Sequence, residues 1–195
     1  MIRLRPSDYR DMPWKNGGGM TRELWREDAA DPARPFLWRV SMADVASDGP
    51  FSAFAGFDRH IMTVKGEGMT LHGSPMGPIE VYPAFVPRRF SGDWPITARL
   101  RQGAITDFNL IVDRALTTSA MDCLAPDGPS RWAVPKGEVW FLHLASGRLG
   151  GGATAFNAGE SLLLREGEVI DLPAPSGAAQ LIRCRIGLAG ALAPT

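Results

Sequence analysis

Glycine and proline recur so often along this chain that long helices have little room. The sequence holds 22 Gly and 16 Pro among 195 residues, and the segments between them are short. Several of these segments are rich in branched and aromatic residues and alternate apolar with polar positions, a period typical of β-strands. The sequence therefore predicts an all-β fold, a many-stranded sandwich or barrel. The segments that we interpret as strands are FLWRVSMADV, RHIMTVKG, PITARLRQG, DFNLIVDR, EVWFLHLAS, SLLLREG and AQLIRCRIG.

Two segments, residues 20–26 and residues 117–123, could form short helices instead. Neither is long enough to carry the architecture.

A faint internal repetition suggests two barrels. Residues 60–73 (HIMTVKGEGMTLHG) and residues 140–152 (WFLHLASGRLGGG) each give an apolar strand, a glycine-bearing turn and a second strand start, a β-hairpin pattern. All-β chains also produce such hairpins by chance, so the repetition alone leaves duplication open. With the turn-rich residues 125–130 (APDGPS) as the linker, we expect a barrel over residues 1–124, a second over residues 125–195, and the two packed as one globular unit.

The charge balance excludes several kinds of partner. Acidic and basic residues number 21 each, without a long run of one sign, so the basic surface of a nucleic-acid-binding or membrane-surface protein is missing. The first ten residues, MIRLRPSDYR, are too charged for a secretory signal, and no apolar stretch approaches the roughly 20 residues of a membrane span. We therefore expect a soluble cytoplasmic protein with a small-molecule partner.

The histidines do not form a metal-site pattern. A metal site in a barrel needs several imidazole or carboxylate groups that converge, commonly through a His-x-His pair on one strand. The chain has only His60, His72 and His143, with no such pair, and the remaining candidate pairs His60 with Asp58 in the segment AGFD. The sequence also lacks a G-x-S-x-G nucleophile motif. We accordingly predict no metal, no cofactor and no assigned catalytic residue.

The N-terminal stretch NGGGMTRE, residues 16–23, is unusually polar around three consecutive glycines. Backbone N–H groups in such a stretch can bind an anion, although the Lys-Ser/Thr ending of a nucleotide-binding loop is absent. The stretch could equally be a solvated arm. The polar and aromatic residues that surround the glycines are Trp14, Lys15, Asn16, Thr21, Arg22 and Glu23.

Two of the expected strands carry polar residues on one face. Alternation places Arg39 with Ser41 on one strand and Asp107 with Asn109 on another, each pair opposite an apolar face. These residues either line a barrel cavity suited to a small carboxylate or amide ligand, or they face water. Arg59, at the start of a third strand, could supply a cation at the mouth of such a cavity.

Four blocks strongly resemble the HutD/Ves family: PWKNGGGMTREL (residues 13–24), FLWRVSMADVASDGPFSAFAGFDR (36–59), RRFSGDWPITARLRQG (88–103) and DFNLIVDR (107–114). The resemblance implies a bicupin, two β-barrels in one chain without the usual cupin metal ligands. It further implies a role in restraining histidine utilisation, through a metabolite such as urocanate or formylglutamate, or a role in a stress response. The expected ligand-binding residues are Trp14, Lys15, Asn16, Thr21, Arg22, Glu23, Arg39, Ser41, Arg59, Asp107 and Asn109.

Three functions compete at this point. The first is a regulatory protein that binds a small carboxylate metabolite, with Arg39, Arg59 or Lys15 meeting the carboxylate. The second is a metal-independent cupin enzyme, an isomerase or lyase, with Glu23 or Asp107 as general base. The third is a protein-interaction module whose barrel is only a scaffold. A homodimer is left open.

Overall fold

The computed structural model describes residues 1–14 and 19–188, except for the side chain of Ala153. This part of the chain consists of β-strands and two short 3-10 helices, Pro6–Asp8 and Gly152–Thr154. The strands are β1 (Ile2–Leu4), β2 (Arg10–Pro13), β3 (Gly19–Glu27), β4 (Trp38–Val45), β5 (Gly49–Pro50), β6 (Phe57–Lys65), β7 (Met69–His72), β8 (Ile79–Val81), β9 (Arg88–Ser91), β10 (Thr97–Leu100), β11 (Ile105–Asp113), β12 (Thr117–Leu124), β13 (Ser130–Ala133), β14 (Glu138–Ser146), β15 (Arg148–Leu149), β16 (Phe156–Asn157), β17 (Ser161–Arg165), β18 (Val169–Leu172) and β19 (Gln180–Leu188).

The chain divides into two compact units. One comprises Tyr9–Ala115, and the other joins Met1–Asp8 to the described part of Leu116–Thr195. The contacts thus group β1 and β12 with the C-terminal unit, whereas the sequence placed both in the N-terminal barrel. The reason is strand pairing, because β1 pairs with β17 and β12 pairs with β19.

The N-terminal unit contains two antiparallel sheets. The six-stranded sheet has the order β2-β3-β4-β11-β6-β9, and the four-stranded sheet has the order β5-β10-β7-β8. An apolar cluster includes Val45 and Ile105 from the larger sheet and Met69 and Leu71 from the smaller one, all buried. Side chains alternate between the two faces of a strand, so this cluster identifies the inward face of β4 and β11.

The C-terminal unit is built on the five-stranded sheet β1-β17-β14-β19-β12, accompanied by the pairs β13-β18 and β15-β16. Its apolar cluster includes Leu142, Leu164 and Leu181 from the large sheet and Phe156 and Ile170 from the small ones.

All seven strands expected from the sequence are present, but the two expected short helices are wrong. Residues 20–26 lie in β3, which is hydrogen-bonded to β2 on one side and β4 on the other. Residues 117–123 lie in β12, which pairs with β19 over its whole length. Strand pairing satisfies the backbone groups in both places, and neither segment is long enough to form a stable helix alone.

The two expected hairpins are also wrong in detail. β6 and β7 belong to different sheets, as do β14 and β15, so no ladder joins the strands of either proposed hairpin. Gly66 and Gly68 after β6, and Gly147 after β14, all have positive φ. In both units a left-handed glycine thus carries the chain from a central strand of the large sheet into another sheet, so the repeated pattern marks a sheet crossing rather than a hairpin.

Candidate functional site

A cavity of about 480 Å³ lies within the N-terminal unit. Its lining includes the polar residues Arg39, Ser41 and Asn109 and the aromatic residues Phe51 and Phe54. The cavity therefore has a polar side and an apolar side, the usual character of a site for a small molecule with both kinds of surface.

The strand register brings the polar residues together. Ser41 on β4 is directly opposite Asn109 on β11, and Ile111 is opposite Arg39 on β4 and Arg59 on β6. Directly opposed residues share a face of the sheet, so these side chains all point to the same side as the apolar cluster. The inward face of β4 and β11 is apolar at Val45 and Ile105. It becomes polar towards Ser41 on β4 and Asn109 on β11, and the cavity lies there.

Asn109 joins Arg59 to Asp107 through its side-chain amide. Its Oδ1 atom accepts a hydrogen bond of 2.8 Å from Arg59 Nη2, and its Nδ2 atom donates to Asp107 Oδ1. A guanidinium can only donate and a carboxylate accepts, so both neighbours require this orientation of the amide. All three side chains are buried.

Asp107 is a carboxyl group with incomplete hydrogen bonding. Its Oδ2 atom is buried and has no side-chain hydrogen-bond partner in the part of the chain that the structure describes. Burial raises the pKa of Asp107 to about 7, against the opposing effects of the Arg59 charge and the Asn109 hydrogen bond. The group consequently changes its charge close to neutral pH, inside a cavity.

Arg59 is held in place by aromatic rings as well as by hydrogen bonds. Its guanidinium carbon lies 5.1 Å from the centroid of Phe51, 5.5 Å from Phe54 and 5.1 Å from Phe90. Burial lowers the pKa of Arg59 to about 10, so it remains a cation at neutral pH. Beyond the bond to Asn109, its Nη1 donates to the carbonyl of Ser52 at 3.2 Å. Its Nε has no partner within residues 1–14 and 19–188. Contacts with those residues thus account for two of its five N–H groups, which leaves donors for an anionic ligand.

Arg39 is partly neutralised by Glu23 on β3. Arg39 Nε lies 2.8 Å from Glu23 Oε2, and each side chain is 14% exposed. Burial lowers the pKa of Arg39, and the Glu23 charge opposes that effect. Among the described residues, Arg59 is therefore the cation of the site that no carboxylate contacts directly.

Trp14 forms part of the cavity wall at the end of β2. Its indole Nε1 donates a 2.8 Å hydrogen bond to Thr21 Oγ1 on β3, which fixes the ring against the adjacent strand. Both residues line the cavity.

The structure thus brings seven of the eleven residues expected at the site to the cavity lining: Trp14, Thr21, Arg39, Ser41, Arg59, Asp107 and Asn109. Glu23 lies beside the cavity as the partner of Arg39. Arg22 is elsewhere, because alternation along β3 turns it away from Thr21 and into an exposed ion pair with Asp11 at 2.7 Å. Lys15 and Asn16 lie outside the described residues, as do Gly17 and Gly18 of the expected anion-binding stretch.

The sequence prediction of the site omitted the aromatic wall. Phe51 and Ser52 belong to the DGPFS segment, and Phe54 follows two residues later. The backbone N–H of Phe54 donates to the carbonyl of Gly92, which holds this loop beside β9. The loop lacks the alternation of a strand, so its residues could not be assigned to a face. The resemblance of residues 36–59 to the family was the signal that could have indicated a role for the loop.

Two further findings concern residues 1–14 and 19–188. No three His, Cys, Asp or Glu side chains lie close enough together to hold a metal ion. No helix there has the length and apolarity needed to cross a membrane.

Comparison with solved structures defines the class of fold. Oxalate decarboxylase from Bacillus subtilis, a cupin-fold protein, aligns with a TM-score of 0.64 over 96% of this chain and 77% of its own, at 8% sequence identity. That identity bears on the fold alone, which is the expected double cupin-like barrel.

The chain belongs to the HutD family, whose sequence model matches residues 6–182. HutD from Pseudomonas fluorescens SBW25 aligns with a TM-score of 0.78 and 30% identity over 96% of this chain and 98% of its own. A conserved protein of unknown function from Pseudomonas aeruginosa PAO1 aligns with a TM-score of 0.82 and 30% sequence identity. The alignment covers 95% of this chain and 98% of that protein. The expected family is confirmed.

Curated relatives match over a shorter region. A 21.2 kDa protein of the hutC 3′ region in Pseudomonas putida is 46% identical over 110 residues, which is 55% of this chain and 56% of that protein. Protein Ves from Cronobacter sakazakii is 36% identical over 112 residues, 55% of this chain and 59% of its own. The chain thus spans little more than half the length of these two relatives.

Proposed function

We propose that this protein is a regulatory metabolite-binding bicupin that holds a small carboxylate in the cavity of its N-terminal barrel, without a metal ion. The observation that carries the proposal is Arg59, a buried cation at the cavity. Counting contacts with the described residues, it has uncommitted N–H groups and no carboxylate in direct contact. Guanidinium groups bind carboxylates through strong, charge-assisted hydrogen bonds, most effectively where water is excluded.

The proposed ligand class is that of urocanate and N-formylglutamate. Both combine a carboxylate with a further polar group, and the cavity offers Arg59, Ser41 and Asn109 beside an aromatic wall. The hutC-region relative supports a connection with histidine utilisation. The HutD structure from P. fluorescens is described as a formate condition, and formate is the smallest carboxylate. Tuning of histidine utilisation, or of a stress response, would follow from occupancy of the cavity.

Calorimetry with urocanate and N-formylglutamate tests this proposal. We expect binding by the wild-type protein, and a loss of about 30-fold or more in Arg59→Met, since removing one partner of a buried charge pair costs about 2 kcal/mol or more. Arg22→Met is the matched control, because Arg22 lies outside the cavity, and should bind as the wild type does. Absence of binding to both compounds at millimolar concentration contradicts the proposal.

A metal-independent enzyme is the second candidate. It is favoured by Asp107, an acid at the cavity whose pKa is raised to about 7 beside the cation Arg59. Such a carboxyl group can accept or donate a proton near neutral pH. Glu23 suits the role of base less well, because it is paired with Arg39. Turnover of either compound, followed by NMR and abolished in Asp107→Asn, would establish this alternative.

A further inference from the structure

Charges on both strands that flank β11 act on Asp107. Arg59 on β6 is the cation that acts on it, and Asp44 on β4 acts on it as a second acid. Arg39 on β4 acts in turn on Arg59. Glu23 on β3 compensates Arg39. When these groups are charged and Asp107 is neutral, no acid among the described residues balances the charge of Arg59 within the cavity. When Asp107 is ionised, it is the counter-charge of Arg59, two hydrogen bonds away through Asn109.

The geometry around Asp107 favours its neutral form. One carboxyl oxygen accepts the Asn109 amide, and the other is buried without a side-chain partner among the described residues. Burying an ionised carboxylate with one oxygen unpaired costs more free energy than burying the neutral acid in the same place. The side chain is fully buried, which adds to the cost of ionisation.

From this arrangement we infer that binding of a carboxylate in the cavity is coupled to the uptake of one proton by Asp107. The inference rests on the proposed function and adds its regulation by pH. A ligand carboxylate that pairs with Arg59 neutralises the cation that stabilises ionised Asp107. It also brings a second negative charge into the same poorly solvated space. Both effects favour the protonated acid.

The sign of the coupling follows from linkage. A ligand that raises the proton affinity of Asp107 must itself bind more tightly to the protonated protein. Affinity is therefore highest at acid pH and falls, by up to about tenfold for each pH unit, once the pH exceeds the value at which Asp107 ionises in the ligand-free protein.

The test is calorimetry with N-formylglutamate at pH 6 to 9, in pairs of buffers that differ in ionisation enthalpy. This probe has no group of its own that titrates in the range, unlike urocanate, whose imidazole resembles that of histidine. At pH 8 we expect uptake approaching one proton per ligand bound, with affinity falling as the pH rises. Asp107→Asn places a neutral amide where the protonated acid would be, so it should bind with no proton uptake and with affinity independent of pH.

Asp171→Asn serves as the control, because Asp171 is an exposed acid of the C-terminal unit, paired with Arg131. It should keep the wild-type dependence on pH. Binding by the wild type without proton uptake overturns the inference and leaves the proposed function standing. An Asp107→Asn variant whose affinity falls with pH as steeply as that of the wild type has the same consequence. The wild-type proton count decides the matter even if that variant fails to fold. If neither N-formylglutamate nor urocanate binds at pH 6, the proposed function fails and the inference fails with it.

Discussion

Arg59 and Asn109 lie on adjacent strands and are joined by a hydrogen bond of 2.8 Å from Arg59 Nη2 to Asn109 Oδ1. Because the opposite end of the same amide donates to Asp107, one neutral side chain organises both charged groups of the site. The proposed binding of a carboxylate depends on these three side chains.

Replacing Asn109 by alanine should lower the free energy of unfolding by about 1–3 kcal/mol. Arg59 and Asp107 would each lose a buried partner, and an unsatisfied buried group costs about that much. Thr106→Ala removes an exposed hydrogen bond to Asp44 from the same strand and should cost less than about 0.5 kcal/mol. Urea denaturation measures both changes, and equal losses in the two variants would refute the structural role of Asn109.

The stability of the protein should carry a pH dependence due to Asp107. Its pKa is raised from 3.8 to about 7 on folding, so its contribution is most favourable below pH 4, declines as the pH rises to about 7, and is constant above that. His60 and His143 act in the opposite direction, because burial lowers the pKa of each to about 4. The wild type must therefore be compared with Asp107→Asn at each pH.

We expect the wild type to lose stability relative to Asp107→Asn between pH 4 and pH 7, by an amount on the order of a few kcal/mol. Urea denaturation of both proteins at several pH values measures this difference. A difference that does not vary with pH would show that Asp107 titrates as an ordinary carboxyl group.

Glu23→Gln should strengthen carboxylate binding. The substitution removes the negative charge 2.8 Å from Arg39 and gives the cavity a second uncompensated cation. We expect the affinity for N-formylglutamate to rise about three- to tenfold, with a smaller gain at high salt. Asp28→Asn, which disrupts an exposed ion pair with Arg26, is the control and should leave the affinity unchanged. Weaker binding in Glu23→Gln would mean that Glu23 itself contacts the ligand.

Trp14 should report occupancy of the cavity by fluorescence. Its indole lines the cavity and is hydrogen-bonded to Thr21, so a ligand alters its surroundings directly. Titration with N-formylglutamate should change the emission of the wild type and of Trp132→Phe, whose substituted residue lies in the C-terminal unit. Trp14→Phe should abolish the change. A signal that persists in Trp14→Phe places the ligand elsewhere.

Alternation along strands was the most informative signal in the sequence. It grouped Arg39 with Ser41 and Asp107 with Asn109, because a period of two directs every second side chain to the same face. It did not decide whether that face met water or a cavity, since this depends on which strands become neighbours. The register of β4 against β11 answers that question, and a local pattern does not contain it.

The two segments wrongly predicted as helices also depend on which strands become their neighbours. Residues 20–26 and 117–123 form strands because β2, β4 and β19 supply hydrogen-bond partners from distant parts of the chain. The partnership of Glu23 with Arg39 and the ring contacts of Arg59 likewise join residues from separate elements. The pKa of Asp107 follows from burial, which the assembled barrel creates.

The most direct test of the account is a crystal structure of the protein with N-formylglutamate. If the protein binds carboxylates at Arg59, the ligand lies in the N-terminal cavity, with a carboxylate oxygen about 3 Å from a guanidinium nitrogen of Arg59. A ligand bound on the outer surface, or a solvent-filled cavity in crystals grown at a concentration that saturates binding in solution, would contradict it.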